Sequence, residues 1–220
     1  MEPSPNYARR ILRDIEESTE IVIFFDKGSI MTRKEQKEKR RQEILSVALD
    51  IFIKKGYSAT KIEDISHAAG MSMGLLFHYF ESKEKLYEEL IWIGRTSPKT
   101  LLYRFWGEPV EFFTTVARNV VQYVKTEPFV AKMFVLMSQA KINEAVPESV
   151  KKLLACNPDF DYSVEKIKQG QKNRSIREGN PVALALTFWS ALRGIAEQMA
   201  INPNSPIPDS EWIVDIIRWK

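Results

Sequence analysis

His67, His78 and Cys156 are the only imidazole and thiol groups among the 220 residues, and their spacing supports no catalysis and no metal site. The histidines stand eleven positions apart and not four, so no HExxH zinc helix exists. A single cysteine excludes an intramolecular disulfide and any CxxC pair. The nine glycines form no GxGxxG or GxxxxGK phosphate loop, and no GxSxG nucleophile elbow is present. Ser72, Met73, Gly74, Leu75 and His78 instead lie close together in one short segment. Ser72 caps a short helix, Met73 to Phe80, that turns Met73, Gly74, Leu75 and His78 outward and Leu76, Phe77 and Phe80 inward. Gly74 lets the backbone approach a partner closely.

Such a helix needs a rigid mount, and the preceding residues supply one. Thr60-Lys61-Ile62-Glu63 reads as a capping box, Thr60 at the N-cap and Glu63 at N3. The helix it opens carries Ile62, Ile65 and Ala69 inward and stops at Gly70. Two short helices joined by a three-residue turn with a glycine are the helix-turn-helix signature. Upstream, Thr32 to Arg41 holds six positive and two negative charges, which suits a DNA arm or a solvated helix face equally. Ile44, Leu45, Ala48, Ile51 and Phe52 then form one apolar stripe of helical period, stopped by Lys54-Lys55-Gly56. Ser82 caps a fourth helix with Leu86, Leu90 and Ile93 on one face, and Thr96-Ser97-Pro98 breaks the pattern after Gly94.

The remaining chain predicts helices over Pro109 to Lys125, Pro128 to Ile142, Pro147 to Cys156, Tyr162 to Asn173, Pro181 to Ile201 and Ser210 to Lys220. Proline opens four of them, where its missing N–H costs nothing. The fold class expected is all-α, with one small exception, the β-branched cluster Ile21 to Phe25. Residues 1–30 read either as an N-terminal extension or as a segment packed on the body. Apolar residues make up 44% and charged residues 28%, enough for a real core, and the formal net charge is only +3. So small a charge excludes nothing and announces nothing; where the charges sit decides. The run Ile21 to Phe25 is too short for a signal segment or a membrane span, so a reduced, cytoplasmic, soluble protein is expected.

Between Ile44 and Leu90 a longer order appears: Phe52, Gly56-Tyr57, Thr60, Ile62, Ile65, Ala69-Gly70, Met71-Ser72, Gly74, Phe77, Tyr79-Phe80, Ser82-Lys83-Glu84 and Leu86. This resembles the DNA-binding region of TetR-type (TetR/AcrR) transcriptional regulators. The resemblance implies a three-helix helix-turn-helix domain over 31–82 and a helical ligand-binding and dimerisation domain over 83–220, with 83–94 as the connecting helix. It implies base-edge contacts from Met73, Gly74, Leu75 and His78, and phosphate contacts from Thr60, Lys61, Ser72, Tyr79 and Lys83. Two departures stand out: Phe77 occupies the usual tyrosine position, removing a hydroxyl, and Ser66 replaces an alanine.

By the same resemblance the second half binds a small, largely apolar effector. Trp106, Phe113, Met133, Met137, Tyr162, Trp189 and Arg193 are its candidate pocket, although a Met and aromatic stripe is more often plain core. The last two helices resemble the family's dimer-forming pair. The expected protein is a homodimeric, ligand-responsive repressor of double-stranded operator DNA, without cofactor, membrane contact or enzymatic activity. A helical adaptor of the same fold that has lost specific DNA binding is the alternative.

Overall fold

The computed structural model describes residues 32–102, 107–155 and 158–219. The expectations for residues 1–30, the Ile21–Phe25 cluster, Trp106 and Cys156 lie outside the described residues. The chain divides into two compact units between Glu38 and Lys39. In the first, Thr32 and Glu35 form a reciprocal cap: the Thr32 N–H donates to Glu35 Oε2 (2.6 Å) and the Glu35 N–H to Thr32 Oγ1 (3.2 Å).

The described helices are α1 (Arg33–Ala59), α2 (Ile62–Ala68), α3 (Met73–Tyr79), α4 (Lys83–Leu102), α5 (Pro109–Thr126), α6 (Pro128–Ile142), α7 (Glu148–Ala155), α8 (Pro158–Lys172), α9 (Pro181–Ile201) and α10 (Ser210–Val214). Among the described residues there is no strand, only an isolated antiparallel bridge between Ile176 and Arg218. No described helix is long and apolar enough to cross a membrane. The break expected at Gly56 is present: its φ of 76° and ψ of 165° lie outside helical space and kink α1 there.

Three expectations about the elements are corrected. The capping box of α2 is shifted by one residue: Lys61 is the N-cap, and its N–H donates to Asp64 Oδ2 (3.1 Å). Thr60 is buried, with its hydroxyl donating to Gly56 O (2.7 Å), so it finishes α1 instead of opening α2. Next, α4 continues through Thr96-Ser97-Pro98. Gly94 seats against α6, where an added Cβ would lie 2.7 Å from Met137 Sδ, and packing overrides the local breakers. Finally, the last helix stops at Val214 and does not reach Lys220. The chain is drawn off into the bridge: the Arg177 N–H donates to Ile217 O (2.9 Å) and the Trp219 N–H to Ser175 O (3.1 Å). A smaller shift affects α8, which starts a turn early because Pro158, Asp159 and Asp161 all favour a helix N-terminus.

One apolar core joins the helix-turn-helix to the helices beyond it. Ile44, Leu45, Leu49 and Phe52 of α1, Ile65 of α2, Leu76 of α3, and Leu86, Leu90 and Ile91 of α4 pack in the same cluster as Leu136 and Ala140 of α6 and Val150 of α7. Packing is therefore continuous across the expected 82/83 division. A second cluster gathers Phe112 and Phe113 of α5, Ile167 of α8, Phe188 and Leu192 of α9, and Val214 of α10.

Within the first core, Tyr87 meets Phe52 edge-on (ring centroids 4.8 Å) and Tyr57 at the same separation. Burial, helped by the neighbouring Tyr57, pushes the Tyr87 phenol up to about 12. The unfolded phenol ionises near its ordinary value of 10.0, so only the unfolded state gains from ionisation at first. Stability is therefore full below about pH 10 and falls between roughly pH 10 and 12. Denaturant melts across that window should show a midpoint shift that Tyr87→Phe removes, and an unchanged profile in Tyr87→Phe would reject this assignment.

Candidate nucleic-acid interface

The turn between α2 and α3 is built by backbone and small side chains. Gly70 takes a φ of 62°, a left-handed conformation that favours glycine. The Met71 N–H donates to Ser66 O (3.0 Å), closing the turn. Ser66 is buried where alanine is usual, and its hydroxyl donates to Glu63 O (3.1 Å), so the extra oxygen is satisfied. Ser72 caps α3 as expected, its Oγ accepting from the Leu75 N–H (3.2 Å). Leu76 and Phe80 anchor α3 in the core. Asp64 steadies α2: its carboxyl accepts from Lys55 Nζ (2.9 Å) and the Lys61 N–H, and both hold it below the ordinary carboxylate range.

The outer face of α3 carries Met73 (43% exposed), Gly74, Leu75 (42%) and His78, with Tyr79 half-buried at its edge. Nothing lies within 4 Å of the place a Gly74 Cβ would occupy. Phe77 is the correction. The expectation put it inside, yet it is 45% exposed. It sits one turn after Met73, and only Leu76 and Phe80 point into the core. The outward place that a tyrosine normally holds was the signal in the sequence that could have revealed this.

Two of the expected phosphate contacts face inward. Thr60 is buried, as described. Lys83 donates through Nζ to Tyr57 O (2.9 Å) and Thr60 O (2.9 Å) and lies over the Tyr57 ring (4.4 Å). It fastens the start of α4 to the end of α1, with both carbonyls satisfied by one ammonium. Lys61 and Ser72 remain exposed beside α3. Two arginines at the end of the basic run are likewise tied into the fold. Arg40 bonds Glu43 (2.7 Å) and Ala69 O (3.0 Å). Arg41 makes a two-pronged pair with Glu89 of α4 and lies 4.9 Å over the Phe80 ring. His67 is exposed on α2.

The described candidates for the effector pocket are spread over both clusters and the surface. Phe113 is buried between Phe112 (5.0 Å) and Phe188 (4.8 Å). Met133 and Met137 belong to the other core. Tyr162 stands edge-on to Phe112 (5.4 Å), and Trp189 donates its indole N–H to Ser163 Oγ (3.0 Å). Arg193 is at the surface, near Ser190 Oγ (3.3 Å) and Glu197 (4.0 Å). The described residues do form open surface clefts elsewhere: about 330 Å³ beside Ala140, Lys141, Ile142, Lys151 and Leu154, and about 310 Å³ beside Gly194, Ile195, Met199, Pro206 and Pro208.

Comparison with known proteins places these features. Residues 44–90 match the family model described as bacterial regulatory proteins, tetR family. The HTH-type transcriptional repressor KstR2 of Rhodococcus jostii (strain RHA1) is 28% identical over 173 residues, 71% of this chain and 80% of that protein. The HTH-type transcriptional regulator AcrR of Shigella flexneri is 29% identical over 98 residues, 43% of this chain and 46% of AcrR. KstR2 of Mycolicibacterium smegmatis is 41% identical, but the match spans only 27% of its length. Among solved structures, AibR in complex with isovaleryl coenzyme A and operator DNA superposes with a TM-score of 0.62 at 20% identity, covering 80% of this chain and 94% of AibR. The MbdR regulator from Azoarcus sp. CIB gives 0.65 at 19%, covering 80% and 96%. The structural likeness shows a shared fold over most of the helical chain, and residues 44–90, which carry the helix-turn-helix, match the tetR-family DNA-binding region.

Proposed function

We propose that this chain is a homodimeric repressor that grips a pseudo-palindromic operator and lets go when a small molecule binds. The observation that carries the reading is the exposed face of α3, mounted on a satisfied turn and a buried Leu76–Phe80 anchor. Two copies of α3 would enter successive major grooves about 34 Å apart. KstR2 is named a repressor, and AibR is seen with both operator DNA and isovaleryl coenzyme A, which supports repression and an effector. A second copy is supported by the apolar side chains left exposed on α9 and α10: Val182, Leu186, Ile201 and Trp212.

The coupling runs through α4. Three residues separate it from the end of α3, and Gly94 brings it against Met133 and Met137 of α6. A shift of α6 therefore moves the element on which α3 is mounted. A coupling of about 1–3 kcal/mol would weaken DNA binding by roughly 5–150-fold.

The test is selection of duplexes from a random pool by the purified full chain, followed by titration of the selected site. Binding no tighter than to random DNA would reject the repressor and leave the adaptor. Lys61, exposed at the N-cap of α2, is proposed as a phosphate contact. Lys61→Ala should weaken binding to every duplex alike and reduce the slope of log affinity against log salt by about one unit. A sequence-selective loss would show that Lys61 does something else.

A further inference from the structure

The reading face of α3 is almost devoid of hydrogen-bonding side chains. From Met73 to His78, only His78 has a polar side chain that reaches outward. Successive residues of a helix are rotated by about 100°. With Leu76 and Phe80 inward, Gly74 and His78 fall at the centre of the outer face. Met73 and Phe77, one turn apart, form one flank, and Leu75 forms the other. All three flanking side chains are more than two-fifths exposed. The face is recessed at Gly74, which has no side chain and open space around it, and the His78 imidazole projects beside it. A helix shaped in this way can sink into a groove until its apolar flanks touch the walls.

The major groove offers one apolar group for such flanks to meet, the 5-methyl of thymine; the other base-edge features are hydrogen-bond donors and acceptors. A thymine methyl projects beside its own strand, away from the middle of the groove, where the central imidazole would sit. An exposed phenyl at position 77 also has no hydroxyl to spend on a phosphate, so apolar contact is the interaction open to it.

We infer that Phe77, together with Met73 and Leu75, selects the operator by contact with thymine methyl groups, with Phe77 the residue that sets which thymine is required. The inference rests on the proposed DNA-binding function and specifies the chemistry of that site. Its energetics are modest per contact. Burying one methyl changes affinity by about 4-fold, and a dimer meets each half-site once, so the paired effect is about 16-fold.

The experiment uses the full chain and the duplex selected from a random pool. Each thymine of the selected half-site is replaced by deoxyuridine, which deletes the 5-methyl and leaves every hydrogen-bonding atom in place. The inference expects thymine at two or more half-site positions. It expects deoxyuridine at the position opposite Phe77, in both half-sites, to weaken binding by about 16-fold. Phe77→Ala should bind the thymine and deoxyuridine duplexes equally, erasing that penalty while penalties at other thymines persist. The side chain is exposed, so the substitution leaves the core intact. A selected site that tolerates deoxyuridine everywhere would overturn methyl reading while leaving specific DNA binding in place. A penalty that survives Phe77→Ala unchanged would overturn the role of Phe77. If no duplex were enriched at all, the inference would fall together with the function beneath it.

Discussion

Gly74→Glu is expected to lower affinity for the selected operator by at least about 100-fold, ~3 kcal/mol, while thermal stability stays the same or rises slightly. The asymmetry follows from the site. No atom lies within 4 Å of the new Cβ, and the residue sits in an ordinary helical conformation, so the fold has room for any side chain. Glutamate is also a better helix former than glycine, by a few tenths of a kcal/mol. In the bound state the same side chain would hold α3 off the groove floor and set a carboxylate among base acceptors and phosphates. Fluorescence anisotropy with a labelled duplex reads the affinity, and a melt of the same sample reads the fold. Retained affinity in a folded variant would remove α3 from the groove.

Phe52→Ala should cost about 3–5 kcal/mol of unfolding free energy. Phe52 is buried in α1 and packs edge-on against Tyr87 of α4, with Tyr57 stacked at 6.2 Å. Removing the ring leaves a void between two helices that fix the position of α3. Because the surrounding core reaches Leu136, Ala140 and Val150, loss should not be confined to the helix-turn-helix. Denaturant unfolding followed by tryptophan fluorescence and by far-ultraviolet circular dichroism should give one coincident transition in both native and variant chains. Separate transitions would show that the DNA-binding helices unfold on their own.

Much of this arrangement is legible in the sequence because it is written in local signals. The stop at Gly56, the turn at Gly70, the Ser72 cap and the proline starts of α5, α6 and α9 each follow from the conformational limits of one residue. The errors have the opposite origin. Thr60 and Lys83 look like surface donors, and only the folded chain reveals that Gly56 O, Tyr57 O and Thr60 O lie within their reach. Continuation of α4 past Gly94 depends on two methionines some forty residues further along. The bridge that ends α10 joins Ile176 to Arg218, a pairing that no local pattern encodes. The exposure of Phe77 is not legible from its hydrophobicity; it follows from Leu76 and Phe80, which already fill the inward side of so short a helix. Pocket residues are not legible for a similar reason: large apolar side chains are needed by both cores, and type alone does not separate lining from filling.

The shared core also has a genetic consequence. A screen for alleles that fail to silence a reporter will return lesions at Leu136, Ala140, Val146 and Val150, residues that no operator touches. Such alleles would mimic recognition defects in the cell, yet they would be rescued by low temperature or by second-site changes that restore volume, whereas lesions at Gly74 would not.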